Sequence, residues 1–254
     1  MQKLTRKNFI TGSIGVVAVG TLAGCGDALK GIAGKAQAAQ WTMVINVDRC
    51  VGCGACVTAC KRENNTPPKV NYTTVEVREI GSYPNVKVAY VPKPCMQCDN
   101  PPCLPVCPVE ATTKRADGIV AIDYQKCIGC QQCVKACPYG MRIYDGGANY
   151  NQPLTTYEQR TSYEYNKAWS RTGEQTPVNK VRKCHYCLHR IENGQQPACV
   201  ESCPGKARVF GNVNDFTSEV SRLPQSDTLQ CLKKQLGTQP RTSYVSRRGN
   251  FYDI

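Results

Sequence analysis

Alternation of apolar and polar residues marks a series of short strands from Trp41 onward. Met43-Val44-Ile45-Asn46-Val47 reads as the first. Residues Thr73 to Ile80 place Val75 and Val77 between charged Glu76 and Arg78, the pattern of a half-buried strand. Val86 to Val91 reads as its partner across the turn residues Gly81-Ser82-Tyr83-Pro84-Asn85, which predicts a hairpin. Ile119 to Asp123, Met141 to Tyr144 and Ala207 to Phe210 are further strands. Residues 145–180 break the rhythm: they are polar, rich in Tyr, Thr, Gln and Asn, and hold no apolar period. So long a stretch predicts a covering or docking loop, with a disordered insert as the alternative. In the tail, Asp215 to Leu223 and Ser226 to Leu236 read as short helices, Pro224 ending the first. Leu229, Leu232 and Leu236 would share one face of the second, with Cys231 pointing away, and Gly237 to Ile254 reads as an extended arm.

The first 40 residues follow another logic. A basic start (Lys3, Arg6, Lys7) precedes an uncharged apolar run from Phe9 to Gly24, then a small-residue, charged stretch, which is the order of a secretory leader. Thr5-Arg6-Lys7-Asn8-Phe9-Ile10 is similar to a twin-arginine export signal with Lys7 in the second arginine's place. Leu22-Ala23-Gly24-Cys25 is similar to a lipobox, which would make Cys25 the lipid-modified first residue of the mature protein. Ala36-Gln37-Ala38 fits an ordinary signal-peptidase site instead. The lipobox reading is preferred because it closes the apolar run directly, whereas Lys30 and Lys35 separate the later site from it. An uncleaved anchor helix is the weaker reading, since the run is Gly-rich and at the short limit for a span.

Between the strands lie cysteines. Of 18, sixteen fall into four groups: Cys50, Cys53, Cys56, Cys60; Cys95, Cys98, Cys103, Cys107; Cys127, Cys130, Cys133, Cys137; and Cys184, Cys187, Cys199, Cys203. The third group, ending in Cys137-Pro138, has the C-x2-C-x2-C-x3-C-P spacing of a bacterial ferredoxin, where three thiolates hold one [4Fe–4S] cluster and the fourth serves its neighbour. A Gly-containing loop turns three sulfurs inward, and a short helix carries the fourth away. The unit strand, cysteine loop, short helix, strand occurs twice between Cys95 and Tyr144, the internal repeat of a bicluster ferredoxin. A disulfide framework suits shorter chains and cannot close C-x2-C-x2-C triples on themselves. Zinc sites need neither the third cysteine nor the trailing C-P. Iron–sulfur chemistry accounts for all sixteen.

Ferredoxin logic then pairs the groups. Cys95, Cys98, Cys103 and Cys137 would hold one cluster, and Cys127, Cys130, Cys133 and Cys107 the next. The outer groups pair around them: Cys50, Cys53, Cys56 with Cys203, and Cys184, Cys187, Cys199 with Cys60. Four clusters change the charge picture. The formal +13 loses about 8 units if each cluster with its thiolates carries about −2. The leader's three basic residues remove more, so the working protein is near neutral or mildly basic. With Lys and Arg dispersed and no aromatic–basic ladder, nucleic-acid binding has no support. With only four Phe and two Trp, stability must lean on the clusters.

Four stretches carry a resemblance: Cys50-Val51-Gly52-Cys53-Gly54-Ala55-Cys56; Cys98-Asp99-Asn100-Pro101-Pro102-Cys103-Leu104-Pro105-Val106-Cys107-Pro108; Asp117-Gly118-Ile119-Val120; and Pro197-Ala198-Cys199-Val200-Glu201-Ser202-Cys203-Pro204. Over Trp41 to Gly211 the chain resembles the four-cluster electron-transfer subunit of the dimethyl sulfoxide reductase family, in its polysulfide, thiosulfate, tetrathionate and arsenate reductase branch. Residues 145–180 depart from the shorter members. The resemblance implies single-electron relay between an integral membrane quinone-binding subunit and a molybdopterin catalytic subunit, with the cluster of Cys50, Cys53, Cys56 and Cys203 nearest the latter. Subunits of this type for formate or hydrogen oxidation often end in an anchor helix, which this sequence does not predict.

The expected fold is α+β: two ferredoxin-like bicluster modules, one inserted in the other. Residues 41–93 and 181–212 form the outer module, 94–144 the inserted one, 145–180 an irregular insert and 213–254 a C-terminal extension; 1–24 are signal and 25–40 linker. The chain would work outside the cytoplasm and transform no substrate itself: no paired carboxylates, nucleophile–base set or phosphate loop occurs, so no catalytic residues are expected. Two alternatives stand beside this reading. One is a quinol-side relay to a multihaem reductase or hydrogenase; the other is a metal- or disulfide-stapled interaction protein. His185 and His189 could tune a cluster or simply pack, and Cys231 could be a free thiol or an interface cysteine.

Overall fold

A computed structural model describes residues 38–151, 153–223 and 229–247. The residues behind the export-signal and Cys25 readings lie outside them.

The largest sheet is built on β1 (Trp41–Asn46), whose Met43, Val44 and Ile45 are all buried. Such a continuous apolar run needs cover on both faces and neighbours on both edges. α1 (Ala55–Asn64) follows the first cysteine loop and carries Cys60. β2 (Thr73–Ile80) and β3 (Lys87–Pro94) form the expected hairpin, antiparallel from Thr73↔Pro94 to Ile80↔Lys87. Its covered face is not the expected one throughout. Ala89 and Val91 of β3 are buried opposite Arg78 and Glu76, whereas Val77 is 66% exposed. The charged pair lies on the inner face because Glu76 bonds to Arg78 and Lys93 there.

The next two cysteine groups alternate with β4 (Thr112–Lys114), β5 (Val120–Ile122), α2 (Gln132–Ala136) and β6 (Ile143–Asp145). The expectation of a loop without regular elements is corrected for 145–180. β7 (Ser162–Glu164) and β8 (Lys167–Trp169) form a hairpin, and β9 (Lys180–Arg182) pairs with β6, so the segment leaves and re-enters at one place. It is held by burial rather than by apolar period. Glu164 and Trp169 are buried, the Trp169 indole donates to the Glu164 carbonyl at 2.9 Å, and its ring meets Tyr124 edge-on at 5.0 Å. Arg182, fully buried, bonds to Asp145 Oδ2 at 2.6 Å, to the Tyr72 hydroxyl at 2.6 Å and to the Glu164 carboxylate. A sparse pattern of lone aromatic and charged anchors gives no periodic signal.

α3 (Leu188–Ile191) and α4 (Ala198–Glu201) lie within the fourth cysteine group, α3 starting directly after Cys187 and α4 carrying Cys199, and β10 (Arg208–Asn212) pairs antiparallel with β1, Ile45 facing Arg208. The tail differs from expectation. Only Glu219–Arg222 (α5) of the first expected helix is helical. In place of the second stand β11 (Leu229–Gln230) and a 3-10 turn at Lys234–Leu236, so the three leucines share no face: Leu232 is buried and Leu236 exposed. Cys231 is buried rather than outward-facing. The extended arm is itself structural. β12 (Thr242–Val245) runs parallel to β1 and antiparallel to β11, completing the sheet order β10-β1-β12-β11. Strand pairing with β12 captures Leu229 and Gln230, which local sequence alone would have left helical.

Thiols sit in the core rather than on it. One buried cluster unites Cys56, Cys60, Cys98, Cys184 and Cys199 with Met43, Ile45 and Tyr244, and a second unites Cys103, Cys127 and Cys133 with Val120, Ile122 and Trp169. Among the described residues, no helix is long and apolar enough to cross a membrane.

Candidate metal centres

The cysteine loops turn at glycines for a steric reason. Gly52 and Gly129, each one residue before the second cysteine of its run, both have φ +71°, where L side chains are strained. A Cβ at Gly52 would lie 2.5 Å from the Tyr90 ring, and one at Gly129 2.3 Å from the Asn179 carbonyl oxygen. α1 and α2 begin directly after these loops and carry Cys60 and Cys137 away from the first three sulfurs.

All sixteen grouped cysteines are free thiols, which removes the disulfide framework. They converge in quartets that mix the groups. Cys50, Cys53, Cys56 and Cys203 line one cavity, together with Arg208 (site 1). Burial, then the neighbouring thiolates of Cys187, Cys184 and Cys199, pushes Cys60 well above the ordinary thiol range, so those four lie together (site 2). Burial, then Cys95 and Cys103 and more weakly Cys137, raises Cys98 in the same way (site 3). Cys133 is raised by burial with Cys127 and Cys107 beside it, and Cys130 stands on the exposed turn between Cys127 and Cys133 (site 4).

The sites adjoin in file. Cys56 of site 1 acts on Cys199 of site 2, and Cys95 of site 3 acts on Cys184 of site 2. Cys103 and Cys95 of site 3 share the Arg142 guanidinium with Cys133 of site 4. Of the sixteen thiols only Cys53 and Cys130 are exposed, one at each end of the file.

The surroundings suit an anionic cluster. Backbone amides aim at sulfur: Ala111 N–H at Cys107 Sγ (3.2 Å), Ala207 N–H at Cys203 Sγ (3.2 Å) and Tyr186 N–H at Cys184 Sγ (3.4 Å). The Arg142 Nε and Nη2 groups are buried with no oxygen partner, and only the sulfurs of Cys103, Cys133 and Cys95 surround them. A donor left so would cost stability, and a negative cluster between those sulfurs would satisfy it.

Sequence reasoning missed several groups facing these sulfurs. Arg208, buried at the start of β10, reaches Cys56 Sγ at 3.4 Å and Cys199 Sγ at 3.7 Å. Asn64 Nδ2 lies 3.5 Å from Cys60 Sγ and 4.0 Å from Cys187 Sγ. His185 acts through it. Its Nδ1 accepts from the Leu188 N–H at 3.0 Å, which leaves Nε2 as the donor to Asn64 Oδ1 at 2.9 Å, and burial holds the ring neutral with a pKa of about 3. His189 instead meets Glu63 at 2.7 Å, away from the sulfurs. Lys61, standing where the other runs have Pro, bonds to the carbonyls of Pro67, Pro68 and Val70 and ties down the loop after α1. One signal was available: Arg142 and Arg208 each lie five residues beyond a C-P cysteine.

Known proteins match this sequence. A 4Fe-4S dicluster domain model matches residues 86–166 and 152–213, and a 4Fe-4S binding domain model matches 41–62. A subunit of the selenate reductase of Mesobacillus selenatarsenatis is 47% identical over 210 residues, 82% of this chain and 72% of that one. A subunit of the tetrathionate reductase of Salmonella typhimurium is 37% identical over 211 residues, 81% and 72% of the two chains. The chain belongs to the iron–sulfur electron-transfer subunits of the dimethyl sulfoxide reductase family. The menaquinone reductase iron-sulfur cluster-binding subunit of Nitratidesulfovibrio vulgaris is similar too, 36% identical over 238 residues, 82% of this chain and 89% of that one. The cofactors of this subunit are four [4Fe–4S] clusters, and its function is electron transfer.

Proposed function

We propose that electrons cross this subunit one at a time through clusters at sites 1, 2, 3 and 4, between two partner subunits docked at the ends. Cys50, Cys53, Cys56 and Cys203 would hold the first cluster; Cys60, Cys184, Cys187 and Cys199 the second; Cys95, Cys98, Cys103 and Cys137 the third; Cys107, Cys127, Cys130 and Cys133 the fourth. The observation that carries this reading is the file of four quartets with exposed thiols at its two ends alone. Each end adds an exposed aliphatic residue in the same place of its loop, Val51 (67% exposed) beside Cys53 and Ile128 (62%) beside Cys130. A desolvating contact that brings a partner's redox centre close to a cluster needs such a surface. The protein supplies spacing and electrostatics, and the clusters carry the charge.

The architecture is then two bicluster modules, one inserted in the other, with sites 1 and 2 built from 41–93 and 181–212 and sites 3 and 4 from 94–144. The site 1 partner is a molybdopterin subunit reducing an oxyanion of sulfur, selenium or arsenic, or polysulfide; relatives named for selenate and tetrathionate support an oxyanion. The site 4 partner is a membrane quinone-binding subunit, an idea supported by the menaquinone-linked relative. The leader reading places the subunit outside the cytoplasm, anchored through lipid on Cys25. Purification of the native complex from membranes tests the whole: iron and acid-labile sulfide at four clusters per chain with co-purifying molybdenum is expected. Four clusters with haem instead of molybdenum would shift the reading to a multihaem partner.

A further inference from the structure

A buried cation stands at each junction of the file. Between sites 1 and 2, the Arg208 guanidinium spans Cys56 Sγ (3.4 Å) and Cys199 Sγ (3.7 Å), and Thr73 Oγ1 fixes it at 2.7 Å. Between sites 3 and 4, Arg142 is fixed by Thr112 Oγ1 at 3.0 Å, with two of its nitrogens lacking an oxygen partner. Between sites 2 and 3 lies Lys183, fully buried, whose Nζ donates to the Cys184 carbonyl at 2.8 Å and reaches Gln97 Oε1 at 3.4 Å. Gln97 sits in the Cys95–Cys98 loop of site 3, and its Nε2 donates to that same Cys184 carbonyl at 2.7 Å.

The arrangement repeats. Arg142 follows Cys137 by five residues and Arg208 follows Cys203 by five, and each is held by one threonine hydroxyl. No ion pair among the described residues joins any of the three cations to a carboxylate. A buried cation without a counter-charge is costly, so the charge opposite it must come from the clusters and their thiolates.

We propose that Arg208, Lys183 and Arg142 are junction cations, each holding a fixed positive charge between two successive clusters so that an electron on one does not bar reduction of the next. Each hop oxidises one cluster by one electron and reduces its neighbour by one, with no proton or bond change. The added negative charge repels a second electron nearby, and a cation between the two clusters offsets that repulsion and raises both potentials. This rests on the four-cluster reading above.

The test is a redox titration, followed by electron paramagnetic resonance, of the full chain prepared anaerobically. Wild-type protein must first show four clusters; fewer would end the four-cluster reading before any variant is made. In Arg208→Gln, two of the four reduction steps are expected to move down by about tenfold in the reduction equilibrium, 59 mV for a one-electron couple, while the other two stay. Arg142→Gln should move the complementary two, and Lys183→Gln one from each pair. Arg208→Lys, which keeps the charge, should stay close to wild type. Fully loaded Arg208→Gln with unmoved potentials overturns the proposal, as does an equal shift in Arg208→Gln and Arg208→Lys. If Arg208→Gln does not fill its clusters, Thr73→Val loosens the guanidinium without touching a sulfur. A smaller downward shift in the same two steps then supports the proposal, and no shift overturns it.

Discussion

Cys53 and Cys130 lie open to solvent, whereas every thiol of site 2 is buried. Both ends sit on glycine-turned loops with an aliphatic residue outward; the middle is wrapped by α1, α3 and α4, with Asn64 and Arg208 filling the space beside the sulfurs. The difference is one of task. An end must bring a cluster close to a partner and accepts exposure in return. The middle has no partner to meet, so burial can hold cluster and fold together there.

Removing a ligand from each region tests this most severely. Cys187→Ser should remove the site 2 cluster and, because its quartet ties α1 to the fourth cysteine group, leave a chain that is largely unfolded and short of iron at the other sites. Cys53→Ser should cost at most the site 1 cluster and keep the circular dichroism of the fold. Equal damage from the two substitutions would mean that the ends are as structural as the middle.

The second test breaks the ion pair beneath the middle. Arg182 is buried against Asp145 and Glu164, which joins the 145–180 insert to the strand leading into site 2. Arg182→Met strands two carboxylates and should cost about 3–5 kcal/mol, read as earlier loss of cluster absorbance on guanidinium titration. The pH dependence follows from Glu164. Burial alone would raise its pKa, but the Arg182 guanidinium and the Tyr72 and Tyr124 hydroxyls hold it below the ordinary carboxylate value. The unfolded chain therefore takes up this proton first as pH falls. The stability Glu164 adds is complete above the ordinary glutamate range and is lost as pH falls through its lowered value. Glu164→Gln should flatten that part of the acid limb.

How much of this could be read from the residues divides along the same line. Cysteine spacing is local chemistry, so the four groups, their glycine-turned loops and the hairpin were legible. Lys183 was not, because it looks like any dispersed basic residue until the fold buries it, and Arg142 and Arg208 offered only their shared five-residue distance from a C-P cysteine. Nor was the role of the insert: Glu164 and Trp169 act as single anchors whose partners, Arg182 and Tyr124, lie far along the chain. β12 was missed for a related reason, since Thr242–Val245 becomes a strand only by pairing with β1 at the chain's other end.

A gentler test addresses the ends alone. Val51→Asp should abolish co-purification of the catalytic partner, and Ile128→Asp that of the membrane partner, each leaving iron content and thermal midpoint unchanged. Both substitutions are on exposed positions, where stability effects are usually within about 0.5 kcal/mol. A variant that loses both partners at once would put the two docking surfaces on one face.

The smallest effect belongs to the middle. Asn64 Nδ2 points toward two sulfurs of site 2, and a donor so placed stabilises the reduced, more negative cluster more than the oxidised one. Asn64→Leu should therefore lower one potential, and a net hydrogen-bond worth of about 0.5–1.5 kcal/mol corresponds to about 20–60 mV for one electron. His185 orients that amide by donating to Asn64 Oδ1, so His185→Phe should produce part of the same shift without removing the donor. The direction separates hydrogen bonding from solvent access. Water admitted by either substitution would raise the potential by stabilising the added charge, so an upward shift would assign Asn64 and His185 to excluding solvent from site 2.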